Sequence, residues 1–86
     1  MNKEELINVL NQRKTDVEAL EESFKTMKPG EGGWYYMGYL EDEYNELEPV
    51  AEKYSMKKEL DEVYDRFWPL EHMTYEDVQK YFFKKD

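Results

Sequence analysis

The 86-residue chain contains no cysteine. Disulfides and thiolate metal sites are therefore excluded, and a reducing, cytoplasmic setting is the expectation. Histidine occurs once, as His72. Residue 69, where a Glu-x-x-His metal pair would place its carboxylate, is Pro69. A lone imidazole lacks the oriented partners that acid–base catalysis needs, so His72 reads as a surface or linker residue. Serine occurs twice, as Ser23 and Ser55, in helical or capping contexts without a nucleophile turn. Three of the four glycines lie in "KPGEGG", residues 28–33. No Lys-Ser/Thr follows them, and Glu31 would repel a phosphate, so the segment reads as a helix–helix turn. The stretch "EDEYNE", residues 41–46, offers oxygen ligands but lacks the turn glycine and spacing of a calcium loop. Long apolar runs are missing as well, so no segment is expected to span a membrane, and the acidic start "MNKEELINVL" does not read as a signal peptide. The expectation is a non-enzyme with no catalytic residue, cofactor or metal.

Bases are scarce where acids are dense. The formal net charge is −9, and it is unevenly spread. Residues 29–52 carry seven acids and no base, and residues 59–77 carry seven acids and only Arg66. Such a field repels nucleic acid and anionic membranes and attracts cationic surfaces. Acidic composition often signals disorder, but 16% of these residues are aromatic, which argues for a packed core.

What is present is helical periodicity. Leu6, Leu10, Arg13, Val17, Leu20, Phe24 and Met27 alternate spacings of four and three, placing them on one helical stripe. Asn2 is the expected N-cap, with Glu4 and Glu5 in the first turn. Arg13 interrupts the apolar stripe, so it is expected to pair with an acid of a neighbouring helix or to extend outward. A second helix is expected from about Trp34, with Met37, Leu40, Tyr44, Leu47, Ala51 and Tyr54 inward. Pro49 either kinks this helix or opens a new one. Met56, Leu60, Val63, Phe67 and Leu70 form a third stripe out of phase with the second. A break between residues 48 and 56 follows, with Ser55 as a candidate cap, and Pro69 is expected to end the third helix. "MTYEDVQKYFFKK" reads as a fourth helix with Thr74 and Asp77 at capping-box spacing and Val78, Tyr81 and Phe82 docking it. No strand alternation or fixed-period repeat appears. The fold expected is all-α, a small antiparallel bundle of three to four helices forming a single domain over residues 1–86. The heptad spacing of the first helix is also compatible with a homodimer.

The second helix carries the functional signal. On a wheel of about 100° per residue, Glu41, Glu48 and Glu52 fall on one flank of its apolar seam, while Asp42 and Glu46 point away from it. Asp42–Glu46 and Glu48–Glu52 are like-charge pairs at four-residue spacing, each costing the helix about 0.2–0.5 kcal/mol. A surface serving solubility alone usually interleaves both signs, as the first helix does. Carboxylates four residues apart lie about 6 Å apart along the axis. Such a row resembles a nucleic-acid backbone at coarse resolution. These acids look crowded and solvent-facing rather than split between an apolar pocket and water, which argues against acid–base catalysis.

Three readings stay open: a merely solvated face, a cationic partner within an oligomer, and a separate basic target. The favoured expectation is an acidic binding protein that fills a basic site of the nucleic-acid-binding type, such as that of a nuclease. It would act as an inhibitor or DNA mimic. Phage and anti-CRISPR proteins and toxin immunity proteins meet the same physical description, by analogy of charge and size. Its contact residues would be Trp34, Tyr35, Tyr39, Glu41, Asp42, Glu46, Glu48, Glu52, Asp61 and Asp65, with tyrosine and tryptophan supplying short-range area. Trp34, Tyr35 and Tyr36 are alternatively a cap over the bundle end. The rival is a structural subunit that self-associates through its heptad stripes.

Overall fold

A computed structural model describes residues 1–31 and 37–83. Among these residues four α-helices follow one another: α1 (Lys3–Lys25), α2 (Gly38–Lys53), α3 (Lys57–Tyr64) and α4 (Tyr75–Phe82). Among the described residues there is no β-strand, and the all-α bundle expected from periodicity is the fold observed.

Helix α1 begins as its sequence requires. The Asn2 side chain accepts from the Glu5 N–H at 2.8 Å, and the Glu5 carboxylate accepts from the Asn2 N–H at 3.1 Å. This reciprocal box satisfies two donors that the helix start leaves without partners. Leu6, Leu10, Val17 and Phe24 are buried, while Arg13, Leu20 and Met27 on the same stripe are half-buried. After α1 the chain turns at Lys28–Glu31. The Glu31 N–H donates to the Lys28 carbonyl at 3.1 Å, Pro29 sets the first turn position, and Gly30 takes a φ of 88° at the second. A β-carbon would be strained there, which explains a Pro-Gly pair at this point.

Helix α2 runs through Pro49 rather than starting there. It stops at Ser55, whose φ of 57° is left-handed. The Met56 N–H donates to the Ala51 carbonyl at 2.7 Å and the Ser55 N–H to the Glu52 carbonyl at 3.2 Å, the paired bonds of a Schellman motif. Helix α3 then starts at once.

Two expectations need correction. Helix α3 ends at Tyr64, not at Pro69, which instead lies inside a one-turn 3-10 helix, Trp68–Leu70. The third stripe nevertheless works, because the turn carries Phe67 and Leu70 into the core after the α-helix has stopped. Tyr81 does not dock α4, being 50% exposed. Val78 is the buried residue of that helix and Phe82 is half-buried. The Thr74–Asp77 box does form, with the Thr74 N–H donating to Asp77 at 3.0 Å and the Asp77 N–H to Thr74 Oγ1 at 3.3 Å. Backbone and side-chain bonds from Thr74 hold the Asp77 carboxyl below its ordinary value.

Each of α1, α2 and α3 contacts the other two, and α4 packs on α1. The core between them is closed by Leu6, Leu40, Ala51, Leu60, Tyr64 and Leu70, each 1% exposed or less. Glu71, after the 3-10 turn, reaches back to accept from the Met37 N–H at 2.8 Å. It thereby places a negative charge where the dipole of α2 favours one.

Candidate binding surface

Helix α2 uses its carboxylates in two ways, and rotation about its axis decides which. Its seam, Leu40, Leu47 and Ala51, faces the core. Glu43 sits on the flank toward α1. Arg13 donates to it twice, from Nε at 2.6 Å and from Nη2 at 2.8 Å, and donates to Asp16 from Nη1 at 2.7 Å. The hydroxyl of Tyr64, whose residue is fully buried, also donates to Glu43. The Arg13 bonds hold the Glu43 carboxyl below its ordinary range against the opposing pull of burial. Glu43 in turn raises the Arg13 guanidinium further above its usual value. Burial, then the Glu43 carboxylate, pushes the Tyr64 phenol up. The expected interruption of the first stripe by Arg13 is thus resolved by a bidentate pair with the neighbouring helix.

The flank toward α3 forms a ladder. Lys57 approaches Glu48 at 3.4 Å and donates to Asp61 at 2.9 Å and to the Tyr44 hydroxyl at 2.7 Å. The Tyr44 hydroxyl donates to Asp61 at 2.6 Å. These bonds, Tyr44 first and Lys57 second, lower the Asp61 pKa, and the Tyr44 and Asp61 contacts raise that of Lys57. Asp61 accordingly raises the Tyr44 phenol. Tyr44 is locked edge-on against Tyr64 and Trp68, with ring centroids 5.8 and 6.3 Å away. Two antiparallel rungs are therefore closed, Glu48–Lys57 and Tyr44–Asp61. About one helical turn farther along each helix come Glu41 on α2 and Asp65 at the end of α3, both exposed.

The remaining carboxylates of α2 point outward. Glu41, Asp42, Glu46 and Glu52 are exposed, as is Asp65 at the end of α3, and none makes an ion pair or side-chain hydrogen bond among the described residues. Tyr39, 58% exposed, shares the outward stripe with Asp42 and Glu46. Lys53 closes that stripe at the far end, its ammonium 5.3 Å from the Tyr54 ring centroid.

Of the ten contact residues expected from the sequence, Tyr39, Glu41, Asp42, Glu46, Glu52 and Asp65 are exposed. Glu48 and Asp61 are half-buried and engaged by Lys57. Trp34 and Tyr35, with the bundle-end cap expected of Trp34, Tyr35 and Tyr36, lie outside the described residues. Glu43 and Tyr64 are the residues that sequence reasoning passed over. The signal for Glu43 was Arg13 itself, a cation on an apolar stripe that required an acid opposite. Among the described residues, no group of three or more histidine or acidic side chains is arranged to hold a metal ion, and no helix is long and apolar enough to cross a membrane. No family model, curated protein or solved structure matches the chain.

Proposed function

We propose that the chain is a non-enzymatic acidic binding protein whose α2 face occupies a basic site on another protein, of the kind that otherwise accepts a nucleic-acid backbone. It acts there as an inhibitor or nucleic-acid mimic. The observation that carries this reading is the division of the acids. Arg13 and Lys57 engage Glu43, Glu48 and Asp61, whereas Glu41, Asp42, Glu46 and Asp65 are exposed and make no ion pair among the described residues. Like charges at this spacing disfavour the helix and are relieved when an arginine or lysine enters between them. Glu41, Asp42, Glu46 and Asp65 steer the encounter, Glu52 extends the field, and Tyr39 adds rigid contact area at short range.

The test is capture of partners from lysate on the immobilised protein at low and high salt, beside the double variant Asp42→Lys/Glu46→Lys. The reading expects a basic protein that is released by salt, displaced by duplex DNA and not retained by the double variant. A partner held equally at high salt and by the variant overturns it.

A further inference from the structure

A second surface lies across the bundle from α2. Because α1, α2 and α3 touch pairwise, the cleft between α1 and α3 opens on the side opposite α2. It encloses about 390 Å³ and is lined by Ile7, Leu10, Met56 and Val63 on its floor, with Asn11, Lys14, Glu59, Glu62 and Arg66 around it. Ile7 is 38% exposed, a branched apolar side chain open to solvent on an otherwise polar flank.

The charges at this cleft differ from those of the rest of the molecule. The chain carries 21 acids against 12 bases, yet the cleft is lined by two of each. Arg66 is already engaged, donating to Glu21 and standing 3.8 Å from Glu18. Lys14 makes no ion pair or hydrogen bond among the described residues. It rises from the α1 rim, and Glu59 and Glu62 rise from the α3 rim. Glu18 and Glu21 of α1 pair with Arg66 just past the end of α3, and Lys14, one to two turns earlier on α1, lines the same cleft as Glu59 and Glu62, one to two turns before Arg66. A twofold axis along the cleft lays α1 of one copy over α3 of the other. Lys14 of each then faces Glu62 of its mate, and the two Ile7 side chains meet over the apolar floor. Such an interface is self-complementary by symmetry. With Arg66 held by Glu18 and Glu21, Lys14 is the base left on the α1 rim to meet the acids of α3, where Glu62 also stands 4.0 Å from Lys58.

We infer that the α1–α3 cleft is a homodimer interface, closed by Ile7 and by reciprocal Lys14–Glu62 contacts. The dimer leaves both α2 faces outward, so it presents two acidic surfaces, and the inference stands or falls independently of what those surfaces bind.

Sedimentation equilibrium of the purified chain over a wide concentration range at moderate salt tests it. The expected result is a reversible monomer–dimer equilibrium. Ile7→Asp and Lys14→Glu should each weaken the dimer by about tenfold or more, and Lys14→Glu/Glu62→Lys should restore it. The substituted side chains are exposed, and circular dichroism melts report whether each variant folds. A chain that stays monomeric at every concentration overturns the inference. So does a larger oligomer, a dimer indifferent to Ile7→Asp, or a double swap that fails to rescue Lys14→Glu while remaining folded.

Discussion

Asp42 and Glu43 are adjacent in the sequence and opposite in use. Glu43 accepts two bonds from Arg13 and one from Tyr64, so it fastens α2 to α1 and to the end of α3. Asp42, about 100° around the helix, touches none of them and faces water with Glu46. A rotation of about 100° thus divides the acids of α2 into those that hold the fold and those that burden it. An acid engaged inside is explained by the bundle. An acid left outside among other acids has no counter-charge among the described residues of the bundle.

The sharpest way to break this division is to remove one acid from each side. Glu43→Ala leaves Arg13 and the Tyr64 hydroxyl without their shared acceptor, and should cost about 2–3 kcal/mol. Asp42→Ala should change stability by no more than about 0.5 kcal/mol. Urea unfolding of the two variants measures the contrast, and equal losses would erase it.

Acid sharpens the same contrast. The folded Glu43 carboxyl titrates below its ordinary value of 4.5, so on acidification the unfolded chain takes up that proton first. Its stabilisation is complete above that ordinary value and is lost as pH falls through the lower folded one. Melting temperatures should therefore drop on acidification below about pH 4.5. The drop should be shallower in Glu43→Gln, although Asp61 and Asp77, also lowered, keep it from vanishing.

A smaller effect belongs to the end of α2. Ser55 holds a left-handed backbone that glycine adopts without strain, so Ser55→Gly should stabilise the chain by up to about 1 kcal/mol. The smallest effect belongs to the outer stripe, where Glu46→Gln removes the repulsive pair with Asp42. A gain of about 0.2–0.5 kcal/mol is expected, with opposite sign to any substitution of Glu43.

Much of the bundle was legible because helical spacing and capping are local. Asn2 with Glu5, Thr74 with Asp77, and the stripes from Leu6 to Met27 and from Met37 to Tyr54 needed no knowledge of the rest of the chain. Pro69 misled because a proline ends an α-helix but also suits a 3-10 turn, and α3 had already stopped at Tyr64. Tyr64 was missed for a related reason. It falls beside the spacing-derived stripe and is buried only because Tyr44, Phe67 and Trp68 close around it. On the binding surface, the wheel gave the direction of each carboxylate but not its neighbour. Glu48 looked as uncompensated as Glu41, because Lys57 belongs to the next helix and only the α2–α3 turn brings it across. Asp61 lies four residues after Lys57 on α3, so that pair was local and open to a reading of charge spacing.

The central claim is that the outward acids of α2 serve a cationic partner. Its most direct test is the affinity of a captured partner for the wild-type chain and for Asp42→Lys/Glu46→Lys, measured across a salt series. The account predicts at least about tenfold weaker binding and a flattened salt dependence in a variant that melts no lower than the wild type. Unchanged affinity and an unchanged salt slope in the folded variant would contradict it.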